Sequence, residues 1–246
     1  VNLKVALVTG ASSGIGTAAV NALVTAGYVV MAAGRDKTRT EQLRDQGERV
    51  QTWVGDLIAA TACDDLVADT IKQFGRLDVL VNNAGIFEAA TVEDTSNENW
   101  QQTIATNLTA PFYLSRAALP HLRASKGVIL NIASDWGLVG GKRAVAYCAS
   151  KGGMVLMTKA MAMDHAHEGI RVNAICPGDV ETPMLYAEGA ARGLNKQQAV
   201  READQGSLTG RVTTASEVAA LVVFLASDAA SQITGAAIPI DGGNSA

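Results

Sequence analysis

Eight residues placed between an apolar run and an amphipathic stretch could hold a phosphate. Thr9-Gly10-Ala11-Ser12-Ser13-Gly14-Ile15-Gly16 follows the β-branched run Lys4–Thr9 and leads at once into a helical pattern. In such a turn Gly10 permits the tight reversal and Gly14 lets the backbone approach a pyrophosphate. Gly16 lets the helix pack closely on the strand, so that free N–H groups at the helix start face an anion. The spacing Gly-x3-Gly-x-Gly departs from the common Gly-x-Gly-x2-Gly, and glycines also serve ordinary turns; lying between a first strand and a first helix, this turn points to a dinucleotide.

The end of the second strand candidate then bears on which dinucleotide. An NAD site usually places a carboxylate there for the ribose hydroxyls, whereas a 2′-phosphate needs a cation. Here Val29-Val30-Met31-Ala32-Ala33 runs into Gly34 and Arg35, which predicts a preference for NADP(H), with Arg39 able to add a contact. The alternative makes Arg35 a solvated loop residue and Asp36 the ribose contact of an NAD(H) site.

A second pair of groups can carry a proton. Tyr147 and Lys151 lie four apart, on one face of a helix. A phenol ionises near pH ~10, and each unit of lowering requires about 1.4 kcal/mol. The ammonium of Lys151, together with the charge of an oxidised nicotinamide, would supply it by favouring tyrosinate. The same spacing also suits an inert surface pair.

These groups must be held by elements. Short apolar runs at Lys4–Thr9, Tyr28–Ala33, Val50–Gly55, Val79–Asn82, Gly127–Ile132, Arg171–Cys176 and Ala237–Ile240 read as strands. Helical periodicity occupies Ile15–Ala26, Arg39–Gln46, Ala60–Phe74, Asn97–His121, Ala144–His167 and Ser216–Ser227. The alternation predicts a single α/β domain over residues 1–246, a Rossmann-like doubly wound parallel sheet of seven strands with helices on both faces. The alternation lapses over 181–208, a segment of the length and position of a substrate lid, or alternatively a structural excursion covering an oligomer interface.

Composition narrows the class. The 246 residues carry a formal net charge of −4 with 48% hydrophobic residues, which excludes a nucleic-acid-binding surface and a disordered chain. Cys63, Cys148 and Cys176 form no CxxC pair, and His121, His165 and His167 form no ligand set with them, so neither a disulfide framework nor a metal site is expected. Val1-Asn2-Leu3-Lys4-Val5 enters the first strand without a basic leader, and no run reaches the ~18 apolar residues of a membrane span. A cytoplasmic protein with no membrane contact is expected.

Tyr147-Cys148-Ala149-Ser150-Lys151, taken with the glycine-rich turn, closely resembles the short-chain dehydrogenase/reductase family, and the rest of that family's pattern follows in order along nearly the whole chain. Asp56 matches the acid at the adenine ring, Asn82-Asn83-Ala84-Gly85 the segment after the fourth strand, and Asn107 the catalytic asparagine. Ser134 matches the catalytic serine, Pro177-Gly178 with Thr182 the turn at the nicotinamide, and Asp241-Gly242-Gly243 the C-terminal segment. The resemblance implies cofactor contacts from Gly10, Ser12, Ser13, Gly14, Ile15 and Gly16, from Arg35, Asp56 and Leu57, and from Asn83, Ala84 and Gly85. It adds Tyr147, Lys151, Pro177, Gly178, Val180 and Thr182. It also implies that Lys151 binds the nicotinamide ribose, that Asn107 holds a water linking Lys151 to solvent, and that the protein is a homotetramer.

The chemistry implied is hydride transfer between a nicotinamide and a carbonyl or secondary alcohol, with Tyr147 exchanging the proton. Ser134, a neutral donor, would orient the carbonyl and stabilise the oxyanion; without a histidine base beside it, it does not read as a hydrolase nucleophile. Asp135, Trp136, Cys148, Met184 and Tyr186 are candidate substrate contacts, mostly apolar with one acid. By overall texture the chain is similar to 3-oxoacyl-acyl-carrier-protein reductases and to reductases of small ketones and sugars. The competing class is a nucleotide-sensing regulator that keeps the fold without turnover.

Overall fold

Every residue of the first strand, β1 (Val5–Thr9), is buried, and its side chains divide by parity between two cores. In the computed structural model, which describes residues 3–246, Ala6 and Val8 face α1 (Gly14–Thr25) and α9 (Ala215–Ala226). Val5 and Leu7 face α3 (Ala60–Phe74) and α5 (Ala110–Ser125). A strand covered on both faces reads as a continuous apolar run, which is the mark of a parallel sheet. Val1 and Asn2, which the sequence reading sets ahead of this strand, lie outside the described residues.

The expected sheet is present. β2 (Val29–Gly34), β3 (Val50–Val54), β4 (Val79–Asn82), β5 (Val128–Ile132), β6 (Arg171–Pro177) and β9 (Ala237–Ile240) join β1 in the order β3-β2-β1-β4-β5-β6-β9. All six pairings are parallel. The chain winds outward from β1 in one direction and from β4 in the other, so the carboxyl ends of these two neighbours open a crevice where loops diverge. The glycine-rich turn leaves β1 there, and Asn83-Ala84-Gly85 leaves β4.

Asp78 anchors the opposite end of β1. Its Oδ2 accepts from Val5 N at 2.8 Å and from Arg76 Nε at 2.8 Å, and its Oδ1 accepts from Arg76 Nη2 at 2.6 Å, with Asp78 only 6% exposed. Truncation leaves a buried N–H and a guanidinium without their acceptor. We expect Asp78→Ala to lose about 2–3 kcal/mol of stability, read as a lower denaturant midpoint with an unchanged slope; a midpoint within error of wild type would refute this.

Three expectations need correction beyond the one- or two-residue shifts seen at most element ends. The second helix is α2 (Lys37–Glu41), continued by a 3-10 turn over Gln42–Gln46, and it starts two residues early because the Asp36 carboxylate accepts from Arg39 N at 2.9 Å and caps it. The single helix expected over Asn97–His121 runs on to Ser125 and is interrupted. Between α4 (Asn97–Ile104) and α5 lies a π-helical turn, Ala105–Thr109, which inserts an extra residue and rotates Asn107 inward. The segment expected over 181–208 extends further: β7 (Val180–Glu181) and β8 (Thr213–Thr214) pair as a second, two-stranded sheet. They bracket α7 (Pro183–Ala191) and α8 (Lys196–Gly206). Two-residue strands carry no periodic signal, so only the folded chain discloses them. Among the end shifts, Val50–Gly55 ends one residue sooner, at Val54. Among the described residues no helix is long and apolar enough to cross a membrane.

Candidate active site

The crevice is a cavity of 680 Å³, within the ~300–1,000 Å³ typical of small-molecule sites. One end is built by the glycine-rich turn. Gly10 and Gly14 hold φ of +62° and +52°, a region that side-chain-bearing residues rarely adopt. A Cβ on Gly16 would lie 2.1 Å from the Gly10 carbonyl oxygen, so helix α1 can approach the strand end only with glycine there. Ala11 N donates to Ala33 O at 2.9 Å, pinning the turn to β2. Ser13 occupies the N-cap of α1 without a side-chain cap, and no acid stands in the first turn, so the leading N–H groups stay free for an anion. Backbone closeness, free helix N–H groups and the cavity together fit a dinucleotide phosphate.

Asn83 positions the neighbouring wall. Its Nδ2 donates to Thr9 O at 2.9 Å and Gly10 O at 3.1 Å, while Thr9 Oγ1 accepts from Asn83 N and Ala84 N at 3.0 and 3.1 Å. Thus the ends of β1 and β4 are laced together before any ligand is considered. Beneath them Asn82, Asn131 and Thr158 form a buried ladder, with Nδ2 to Oδ1 at 2.8 Å and Nδ2 to Oγ1 at 2.8 Å.

At the end of β2, a Cβ on Gly34 would meet Thr40 Oγ1 at 2.4 Å and Ser12 Oγ at 3.1 Å, so a side chain there would have to displace Thr40. Arg35 is exposed on the cavity wall. Asp36 is engaged by Arg39, whose N and Nε donate at 2.9 and 2.8 Å, and these bonds hold its carboxyl below the usual range. Asp56 and Leu57 line the same end, with Asp56 Oδ1 accepting from Ile58 N at 3.1 Å.

The other end gathers Ser134, Tyr147 and Lys151 on one wall. Ser134 follows β5, and its Oγ donates to Asp135 Oδ1 at 2.9 Å while accepting from Trp136 N at 3.2 Å. Tyr147 and Lys151 project from α6 (Val145–His165), Lys151 Nζ standing 5.6 Å from the Tyr147 ring centroid. Phe87 and Trp136 pack edge-on against that ring, with centroids 5.1 and 6.2 Å away. Lys151 is 3% exposed, and its Nζ donates to Ile132 O at 2.7 Å.

The electrostatics differ from the sequence expectation. Burial pushes the Tyr147 phenol well above its ordinary value, Ser134 opposes this, and the carboxylate of Asp135 adds to it. The Lys151 charge does not outweigh burial, because the ammonium is itself desolvated, which brings it down to about 8. With the protein's own groups, then, the phenol is held protonated.

That lowering has a stability signature. An unfolded lysine keeps its proton to about pH 10.4, whereas folded Lys151 releases it near 8, so between these values the unfolded state holds the extra proton and this group's contribution to stability rises with pH. We expect the denaturant midpoint of Lys151→Met to exceed wild type by most near pH 7 and the gap to close as pH rises toward about 9.5. A gap independent of pH contradicts the shift.

Asn107 does not reach the wall. It is wholly buried, its Oδ1 accepting from Ile86 N at 2.8 Å and its Nδ2 donating to Ile86 O at 2.9 Å and Ser150 Oγ at 3.1 Å. A Cβ on Gly85 would lie 3.5 Å from both Asn107 Oδ1 and Lys151 Nζ, so the glycine leaves the space between them open. Pro177, Gly178, Val180 and Thr182 line the cavity as expected, as do Asp135, Trp136 and Met184.

Two expected substrate contacts fall outside the lining. Cys148 Sγ accepts from Gly141 N at 3.3 Å, and Tyr186 donates its hydroxyl to Glu181 Oε1 at 3.0 Å beneath the Lys196 ammonium. Both turn away because α6 and α7 present other faces inward. In their place the cavity takes Phe87, Asp179, Glu188 and Asn244. Phe87 and Asp179 directly follow motif residues, Gly85-Ile86 and Gly178, and Glu188 lies one turn beyond Met184, so adjacency and helical spacing could have flagged them. Asn244 likewise directly follows Asp241-Gly242-Gly243, but only the fold shows it reaching back from the C-terminal turn to donate to Asp135 Oδ2 at 2.7 Å.

Comparison with known proteins agrees. A family model described as short chain dehydrogenase matches residues 4–193. The mouse L-fucose dehydrogenase is 39% identical over 241 residues, covering 98% of this chain and 88% of that protein. The D-beta-hydroxybutyrate dehydrogenase of Cupriavidus necator is 40% identical over 252 residues, 98% of both chains. Among solved structures, a variant of actinorhodin polyketide ketoreductase with NADPH superposes with a TM-score of 0.94 at 33% identity, over 99% of this chain and 97% of that one. The 3-ketoacyl-(acyl-carrier-protein) reductase of Brucella melitensis with NADH gives 0.90 at 30% identity, over 99% and 98%. With the seven-stranded sheet, the glycine turn and the serine–tyrosine–lysine wall all accounted for, the chain belongs to the short-chain dehydrogenase family of oxidoreductases.

Proposed function

We propose that this protein is an NADP(H)-dependent oxidoreductase acting on a carbonyl or secondary alcohol, with Tyr147 as the general acid and base. The observation that carries the reading is the convergence of Ser134, Tyr147 and Lys151 at one end of a cavity whose other end is the glycine-rich turn. When bound there, a nicotinamide cofactor supplies or accepts the hydride. The chain's own residues do the rest. Tyr147 gives its proton to the substrate oxygen in reduction and takes it in oxidation. Ser134 turns its hydroxyl from Asp135 Oδ1 toward that oxygen as charge builds. Lys151 holds positive charge next to the phenol and is the partner for ribose hydroxyls. The space left by Gly85 between Lys151 Nζ and Asn107 Oδ1 suits the water of a proton relay to solvent.

The nucleotide preference rests on the end of β2. Gly34 supplies no acid, Asp36 is already occupied by Arg39, and Arg35 is exposed toward the cavity. A guanidinium on a 2′-phosphate forms charge-assisted bonds worth roughly 1.5–3 kcal/mol, about 10- to 100-fold. We therefore expect kcat/KM for NADPH to exceed that for NADH by about tenfold or more, and Arg35→Ala to lose about that factor with NADPH alone. A clear NADH preference would mean that Asp36 leaves Arg39 for the ribose.

By name, the relatives above are dehydrogenases of L-fucose and of D-beta-hydroxybutyrate and reductases of a polyketide and of 3-ketoacyl-(acyl-carrier-protein), so membership leaves the substrate open. A homotetramer belongs to the same reading, supported by apolar side chains standing in solvent on α5 and α6: Phe112 at 45%, Leu156 at 67% and Met163 at 84% exposed. A cytoplasmic setting fits the three unpaired cysteines.

A further inference from the structure

Beyond Tyr147 and Ser134, the substrate end of the cavity is lined by three carboxylates from separate elements: Asp135 after β5, Asp179 after the Pro177-Gly178 turn, and Glu188 on α7. Asp135 is committed, accepting from Ser134 Oγ, Trp136 N and Asn244 Nδ2. Asp179 is exposed to the cavity and, among the described residues, accepts no side-chain hydrogen bond and joins no ion pair. Glu188 has only Arg192, at 4.0 Å, and that guanidinium bonds Glu202 more closely. Although its side chain opens to the cavity, desolvation within the crevice and the neighbouring Glu188 and Asp135 raise Asp179 to about 6 against the opposing Arg192 charge, and desolvation raises Glu188 as well. Of the cations on the cavity wall, Arg35 and Arg39 stand at the β2 end, and Lys151, at the substrate end, is committed to the Ile132 carbonyl. In the same stretch Phe87 and Trp136 offer aromatic surface, with ring centroids 5.7 Å apart.

Resting on the oxidoreductase reading, we propose that the substrate is a neutral, hydroxyl-rich carbonyl or alcohol, a sugar or vicinal diol, and that Asp179 and Glu188 select it by accepting from a hydroxyl beyond the reacting carbon. A substrate carboxylate would meet these like charges, while the nearest guanidinium, Arg192, stands outside the cavity lining and is already engaged by Glu202 and Glu188. A hydroxyl both donates and accepts, so it pairs with these carboxyl groups in either protonation state. Its C–H faces would lie against Phe87 and Trp136.

The test is kcat/KM for four alcohols with saturating nucleotide: an aldohexose, meso-2,3-butanediol, 3-hydroxybutyrate and 1-amino-2-propanol. We expect either neutral hydroxylated compound to exceed 3-hydroxybutyrate and the amino alcohol by about tenfold or more. Asp179→Asn should shift the ratio of neutral to anionic substrate toward the acid by about fivefold or more while nucleotide Kd holds. Should Asp179→Asn fail to fold, Glu188→Gln reads the same ratio. The proposal is overturned if 3-hydroxybutyrate is the best substrate, if the ammonium compound outranks the diol and sugar, or if the soluble variant leaves the ratio unmoved. If wild type turns over none of the four with either nucleotide yet oxidises NADPH with another ketone, this inference falls and the oxidoreductase reading stands; nucleotide binding without turnover of any carbonyl across a ketone panel removes that reading, and this inference with it.

Discussion

Tyr147→Phe is expected to bind NADPH within a few fold of wild type and to turn over roughly 10³-fold more slowly or worse, in line with the ~10²–10⁴ contributed by a positioned acid. The change removes one oxygen and keeps the ring, so the edge-on contacts with Phe87 and Trp136 survive. Nucleotide binding depends on the glycine turn and the β2 end, which that oxygen does not touch. Paired measurements of kcat and of nucleotide Kd separate the two effects; activity within tenfold of wild type would take the proton-transfer role from Tyr147. Because burial holds the phenol protonated, the acid form needed for carbonyl reduction is present at neutral pH. Oxidation needs tyrosinate, and there the charge of an oxidised nicotinamide must add to that of Lys151.

Gly16→Ala is expected to be as damaging to binding as the tyrosine change is to chemistry. The new methyl would sit 2.1 Å from the Gly10 carbonyl oxygen and 2.7 Å from Asn83 Nδ2, both fixed by bonds to the strand ends. Helix α1 cannot retreat without pulling Ala19, Val20 and Leu23 out of the core. We expect a loss of about 1–3 kcal/mol of stability from overpacking and a fall in NADPH affinity of about 100-fold, since displacing the helix start moves every phosphate-facing N–H. Gly206→Ala, where a Cβ meets nothing within 4 Å, is the control and should change neither. Calorimetric titration and chemical denaturation read both quantities; wild-type NADPH affinity in Gly16→Ala would show that the close approach is not required.

Much of this site was legible in the chain, and for identifiable reasons. The five inner strands β1, β2, β4, β5 and β6 are buried on both faces, so their apolar runs stand out, and the glycines of the phosphate turn are demanded by backbone geometry that other residues rarely satisfy. Ser134, Tyr147 and Lys151 lie in local motifs, so their order along the chain already placed them at strand and helix ends facing one crevice.

Other features depend on groups far apart in sequence, and only folding decided them. Cys148 and Tyr186 sit beside motif residues yet leave the wall, because helix rotation is set by packing rather than by proximity to a motif. Asn107 is turned inward by a π-helical turn that no periodicity announces, and its partners Ile86 and Ser150 are 21 and 43 residues away. The sign of the Tyr147 shift was likewise beyond the chain: residue spacing puts an ammonium four places on, but only tertiary burial determines how much water either group keeps, and desolvation outweighs the cation.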